Sequence, residues 1–148
     1  MDDRDQTESV IAIHRNAHNL RGARLHQVDF SRAIGRKSVV TRAVFNDCNF
    51  DFAELADARL PGCDLARCRF READLGGVDF TDADLSGGDF TEAITTGMAL
   101  AGADVRGGDL GALNLLALAS FARLKITQSQ GDGLLQALRI DLHPDPAG

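Results

Sequence analysis

Starting at Leu20, every fifth position is large and apolar: Leu20, Leu25, Phe30, Val40, Phe45, Phe50, Leu55, Leu60, Leu65, Phe70, Leu75, Phe80, Leu85, Phe90, Leu100, Val105, Leu110 and Leu115. Gly35 and Thr95 are the two exceptions in that series. The position two before each is small, most often Ala (Ala33, Ala53, Ala73, Ala83, Ala103) and sometimes Cys (Cys48, Cys63, Cys68), with His18, Met98 and Leu113 breaking the column. Immediately before the large residue stands Asp or Asn in most repeats. A period of five matches neither the 3.6 of a helix nor the 2 of a strand. The chain must therefore turn a corner every fifth residue and wind as a coil of short straight sides. The register runs unbroken from 18 to 115.

A longer period lies on top of the short one. Phe30, Phe50, Phe70 and Phe90 recur every twenty residues, which makes four sides per coil and stacks the rings in a ladder that Leu110 continues. Strands hydrogen-bonded in one sheet lie about 4.8 Å apart, so each ring touches those above and below. This accounts for a composition with eight Phe but no Trp and no Tyr, because a closed interior slot holds no partner for an indole N–H or a phenol. The exceptions at Gly35 and Thr95 fall in similar segments sixty residues apart, and Ile34 and Ile94 beside them are expected to turn inward in their place.

Segments such as Ala73-Asp74-Leu75, Ala83-Asp84-Leu85 and Ala103-Asp104-Val105 resemble the A(D/N)LXX consensus of the pentapeptide-repeat family. The resemblance covers about 100 of the 148 residues. It implies an all-β fold, a right-handed quadrilateral β-helix of about five coils with a short C-terminal helix. The expected organisation is an N-terminal cap over 1–17, the coil over 18–126, and a helical extension over 127–148.

Open ends of a solenoid need caps or partners. Val10-Ile11-Ala12-Ile13 is the apolar stretch available at the first end. At the other, a helix is expected around 128–138 with Thr127 or Ser129 as N-cap, followed by an extended Ile140–Leu142. Leu134, Leu135, Leu138, Ile140 and Leu142 offer more apolar surface than one capping turn needs. A two-fold homodimer through the C-terminal ends is the reading preferred over a self-contained cap. This segment is similar to the C-termini of topoisomerase-protecting members of the family, which implies the same dimer.

Little in the chain points to catalysis. Cys48, Cys63 and Cys68 occupy the slot that usually holds Ala and read as buried structural thiols. The four His (His14, His18, His26, His143) lack metal-ligand spacing, and the Gly pairs at 76–77, 87–88 and 107–108 read as corner residues rather than phosphate loops. Ser and Thr after the large residue (Ser31, Thr41, Thr81, Ser86, Thr91) are expected to bond backbone in the corners. No enzyme activity, cofactor or metal is expected. With no long apolar run and no signal-like segment, a cytoplasmic protein without membrane contact is expected.

The remaining signal is charge. The net −6 divides unevenly: residues 14–70 carry ten Arg or Lys against six acids, while residues 71–114 carry nine acids against Arg71 and Arg106. That net −7 over about 11 Å of coil is roughly one charge per 1.5 Å, close to the one per ~1.7 Å of B-DNA. The acidic balance argues against nucleic acid as a direct ligand. The resemblance to quinolone-, microcin- and albicidin-resistance members implies a DNA mimic that occupies a type II topoisomerase, DNA gyrase, and protects it from a poison. Asp74, Asp79, Asp84, Asp89, Asp104 and Asp109 would supply the phosphate-like face. The alternative is a protein-interaction scaffold unrelated to topoisomerases.

Overall fold

The computed structural model describes residues 22–146. The chain winds as a coil whose sides pair in parallel with a spacing of twenty residues. Strand β1 (Arg24–His26) lies against β2 (Val44–Asn46) with Leu25 opposite Phe45. Elsewhere each side is so short that one residue bridges to the coil above. Four columns result: a first side through Arg24, Val44, Asp64, Asp84 and Asp104, a second through Asp29, Asn49, Arg69, Asp89 and Asp109, a third through Ile34, Glu54, Asp74 and Ile94, and a fourth through Val39, Arg59, Asp79 and Ala99.

The corners explain the period. The carbonyl of a large residue accepts from the N–H three positions on, as Phe50 does from Ala53 and Phe70 from Ala73, both at 3.1 Å. The third residue of such a turn takes a left-handed backbone, with φ near 60° at Arg32, Lys37 and Phe52. That conformation costs a residue with a Cβ roughly 1–2 kcal/mol, and the rungs on either side hold it. At Gly77 and Gly102 the glycine relieves this cost and makes room, because the carboxylates of Asp57 and Asp82 from the coil below lie over them. Gly88 and Gly108 are not corner residues. They stand in the small inward column, where a Cβ on Gly108 would come within 2.6 Å of the Gly88 carbonyl.

Inside, the Phe ladder forms as expected. Ring centroids of Phe30, Phe50, Phe70 and Phe90 follow one another at 5.0, 5.2 and 5.1 Å, within 10° of parallel. Phe45 and Phe80 meet the ladder edge-on. Cys48, Cys63 and Cys68 are buried free thiols in the Ala column. The Cys68 thiol donates to the Phe45 carbonyl at 2.6 Å. Its hydrogen bond with Cys48, together with burial, raises its pKa and keeps it protonated.

Ile34 and Ile94 do not turn inward; they are 38% and 53% exposed. Rotating either one in would put its neighbours on the wrong face of the side and break the bridges Ile34↔Glu54 and Asp74↔Ile94. The coil instead keeps its register and leaves small cavities of about 10 Å³ at the deficient slots, one beside Gly35 and Ser38, the other beside Thr95 and Met98. The Ser38 hydroxyl in the first of these is buried with no hydrogen-bond partner among the described residues.

Past Leu115 the register slips by one. The pairing interval is twenty at Asp89↔Asp109 but twenty-one at Ala99↔Ser120 and Asp104↔Lys125. The extra residue sits in a 3-10 turn, Leu115–Ala117, whose preceding Asn114 accepts the Leu116 N–H. Helix α1 (Gln128–Ala137) then docks on the coil end. It contains Gly131 and Gly133, which weaken a helix by about 1 kcal/mol each, so tertiary contacts must hold it. Thr127 and Gln130 form a capping box at its start. The same Gln130 amide donates from Nε2 to the carbonyls of Val105 (2.8 Å) and Gly108 (3.0 Å). In the coil below, the equivalent Gly88 carbonyl takes the backbone N–H of Asp109. Gln130 thus supplies the donor that a further coil would have supplied. Leu134, expected at a dimer interface, is 5% exposed and packs into its own coil. The expected cap over 1–17, including His14, lies outside the described residues, as does His18. No helix among the described residues is long and apolar enough to cross a membrane.

Candidate functional site: the charged sides of the coil

The six carboxylates singled out in the sequence do not share one face. Asp84 and Asp104 stand on the first side, Asp89 and Asp109 on the second, Asp74 on the third and Asp79 on the fourth, a belt around the coil. All six do the same local work. Each Oδ1 accepts the backbone N–H two residues on: Gly76, Thr81, Ser86, Thr91, Arg106 and Gly111, at 2.9–3.0 Å. At Thr81, Ser86 and Thr91 the hydroxyl also donates to this carboxylate. At these three corners the hydroxyl therefore bonds the Asp side chain rather than backbone as expected. These are Asx turns, in which a short side-chain acceptor satisfies the first free N–H of a corner.

This use of Oδ1 explains why carboxylates stack at about 4.8 Å despite their repulsion. It also explains why Asn serves equally at some rungs, since Asn49 Oδ1 accepts from Asp51 and Asn114 Oδ1 from Leu116.

Cations divide the belt further. Arg106 forks onto Asp104 from Nε at 3.0 Å and from a terminal nitrogen at 2.8 Å, and that bonding holds the Asp104 carboxyl below its ordinary value. Burial pushes Asp89 up, but the hydroxyl and N–H of Thr91 and the charge of Arg71, 3.7 Å away, bring it below the ordinary value. Asp74, Asp79, Asp84 and Asp109 have no ion-pair partner among the described residues. Lower in the coil Arg67 pairs with Asp47 and Arg69 with Asp51. By contrast Arg24, Arg32, Arg36, Lys37, Arg42 and Arg59 form no ion pair among the described residues. Arg32 instead lies over the exposed Phe52 ring at 4.8 Å.

Among the described residues the charge split thus survives pairing: the coil's cations without an ion pair are concentrated in the early coils and its carboxylates without one in the later coils. Sequence reasoning missed the neutralisation of Asp89 and Asp104, because the arginines that provide it come from corner positions carrying no repeat signal. Among the described residues no group of His, Cys, Asp or Glu is placed to hold a metal ion. At the C-terminal end Leu135 and Leu138 are half-buried, and Ile140 and Leu142 are exposed. Leu116 and Phe121, where apolar residues replace the polar columns of the repeat, lie exposed in the same region of the chain.

A family model for pentapeptide repeats matches residues 19–51 and 48–87 in eight copies, and the twenty-residue pairing carries the same pattern on to Asp109. No curated protein sequence matches the chain. Among solved structures it is similar to QnrB1, a plasmid-mediated fluoroquinolone resistance protein, with TM-score 0.61 at 21% identity over 84% of this chain and 70% of that one. It is also similar to alr5209, a pentapeptide-repeat protein from Nostoc PCC 7120, with TM-score 0.52 at 26% identity over 68% of this chain and 86% of that one. The coil is a right-handed β-helix of the kind those proteins form. On its repeats, its rungs and these likenesses, the chain belongs to the pentapeptide-repeat family.

Proposed function

We propose that this chain is a non-enzymatic DNA mimic that binds a type II topoisomerase, DNA gyrase, in place of duplex DNA and protects it from a poison. The observation that carries the reading is the later coils' set of carboxylates, pinned by corner hydrogen bonds and, at Asp74, Asp79, Asp84 and Asp109, without an ion-pair partner among the described residues. A fixed array of charge needs no ordering when it meets a basic groove, and that favours binding. Likeness in fold to a fluoroquinolone resistance protein supports the same reading. The protein acts in the cytoplasm as a homodimer through its C-terminal ends, with Leu135, Leu138, Ile140 and Leu142 in the contact and Leu134 held back by its own coil. Joined this way, the two acidic halves meet and make one longer rod.

The corner bonds decide how the idea should be tested. Reversing these aspartates to Lys would remove the acceptors that close the corners, so loss of activity would be ambiguous. Asn keeps the acceptor and removes the charge, as Asn49 already does in this fold. The variant Asp74→Asn, Asp79→Asn, Asp84→Asn, Asp109→Asn is expected to fold like the parent by circular dichroism. It is also expected to lose protection of gyrase in a supercoiling assay with a fluoroquinolone present. Full protection by the folded variant would show that the charges are not the mechanism. A parent with no effect on the poisoned enzyme would leave the second reading, a docking scaffold, which the unpaired cations of the early coils favour.

A further inference from the structure

The fourth side of the coil has an order the other three lack. Its column reads Val39, Arg59, Asp79, Ala99, so reversing the direction of the coil exchanges Arg59 with Asp79 and Val39 with Ala99. We infer that this side is a self-complementary docking surface for a second copy of the chain. The two coils would lie antiparallel about a two-fold axis that passes between the levels of Arg59 and Asp79.

The charges at the centre are available. Arg59 and Asp79 are vertical neighbours, yet they form no ion pair with each other. Asp79 uses Oδ1 for Thr81, which leaves Oδ2 for an incoming guanidinium. Val39, 51% exposed, would be covered by Ala99 of the second copy. Of the corners flanking this side, the outer ones follow the same rule, whereas the inner ones oppose Asp57 with Gly77, over which the second copy's own Asp57 carboxylate lies, and Gly62 with Asp82. Arg42 falls opposite Gly102, over which the Asp82 carboxylate lies. Lys37 falls opposite Gly97, which presents no side chain to obstruct it. At these outer corners the long side chains therefore meet glycine positions, and Arg42 meets a carboxylate, twice over by symmetry.

The same operation fails elsewhere. It opposes Glu54 with Asp74 on the third side, Asp29 with Asp89 on the second, and Val44 with Asp64 on the first. At that level only the fourth side pairs opposite charges without a like or lone charge. Raised to the level between Arg69 and Asp89, the second side would also pair opposite charges, but there Arg69 is already held by Asp51 and Asp89 by Arg71, and Asn49 would face Asp109.

A patch four coils tall and one side wide covers a few hundred Å², short of the roughly 800 Å² per partner of a stable complex. The contact is therefore weak and salt-dependent, and is separate from the apolar C-terminal one, so it would link such dimers into larger assemblies. Sedimentation velocity on the full chain reads it directly. Lowering salt from about 1 M to about 10 mM lengthens screening from ~3 to ~30 Å, and is expected to bring a concentration-dependent rise in mass. Arg59→Asp places like charges face to face, and Asp79→Asn removes the carboxylate while keeping the acceptor that closes its corner; each should weaken this step at least about tenfold. Arg59→Lys keeps the charge and should keep the step. A mass that ignores salt overturns the inference, as do Arg59→Asp or Asp79→Asn variants that associate like the parent or an Arg59→Lys variant that stays dissociated. Circular dichroism on each variant separates these outcomes from misfolding.

Discussion

The absence of Tyr from a chain with eight Phe becomes a quantitative prediction at Phe80. Its ring is fully buried, faces Phe70 edge-on at 6.1 Å, and has Leu60 and Leu100 below and above it in the inward column. It lines neither interior cavity. Phe80→Tyr adds one hydroxyl at a place where the surrounding backbone groups are already bonded. The Phe80 N–H goes to the Ala99 carbonyl and the Phe80 carbonyl accepts from Ala83. Burying a hydroxyl without a partner costs about 1–3 kcal/mol in proteins, and forcing an extra atom into a packed core costs about 1–3 kcal/mol more. The expected loss is therefore about 2–6 kcal/mol, a large part of the stability of a domain this size. Phe52→Tyr and Phe121→Tyr put the same hydroxyl on rings that are each 44% exposed, and should fall within about 0.5 kcal/mol of the parent. Urea denaturation followed by circular dichroism measures all three, with equal slopes required because solenoids can unfold in pieces. A Phe80→Tyr midpoint level with that of Phe52→Tyr would mean that the interior slot tolerates a donor, and the explanation of the composition would fail.

Three further outcomes follow from named contacts. Ser38→Ala removes a buried hydroxyl that has no partner and should stabilise the protein by about 1 kcal/mol, read as a higher melting temperature. Gln130→Glu replaces two donated hydrogen bonds by a carboxylate facing the Val105 and Gly108 carbonyls. It should cost about 2 kcal/mol or more and speed hydrogen exchange in α1 before the coil below. Stability should also fall in acid. A carboxyl whose folded pKa is depressed, such as Asp104 beside Arg106, stabilises the fold above its unfolded value near 4 and loses that contribution as pH drops through the folded value. Asp104→Asn keeps the corner acceptor and should flatten the stability profile below about pH 4 while leaving it nearly unchanged in shape above pH 5.

Much of this architecture is legible in the sequence because one constraint repeats. A five-residue period leaves the chain little choice of corner, and twenty-residue recurrence of Phe sets the number of sides. Ile34 and Ile94 misled because an inward turn looks favourable for one side chain; its cost lies in the rungs of the coils above and below, which no local reading weighs. The slip after Leu115 was hidden for a different reason: Leu115, Leu116 and Leu118 are all apolar, so the inserted residue leaves no gap in the pattern. The aspartates were visible as a column, but their corner bonds were not. An Asp that closes a turn and an Asp that awaits a partner are the same letter, and only the paired arginines and the Asn substitutes tell them apart. The antisymmetry of Val39, Arg59, Asp79 and Ala99 needed the four columns to be assembled before it could be seen.

The proposed mimicry is tested most directly by competition for one site. Gyrase bound to a fluorescent duplex DNA is titrated with the full chain at a fixed, moderate salt concentration. Displacement of the DNA by the parent protein is predicted, with markedly weaker displacement by the fourfold Asp→Asn variant. A ternary complex in which the chain and the DNA bind gyrase together, each leaving the affinity of the other unchanged, would contradict it.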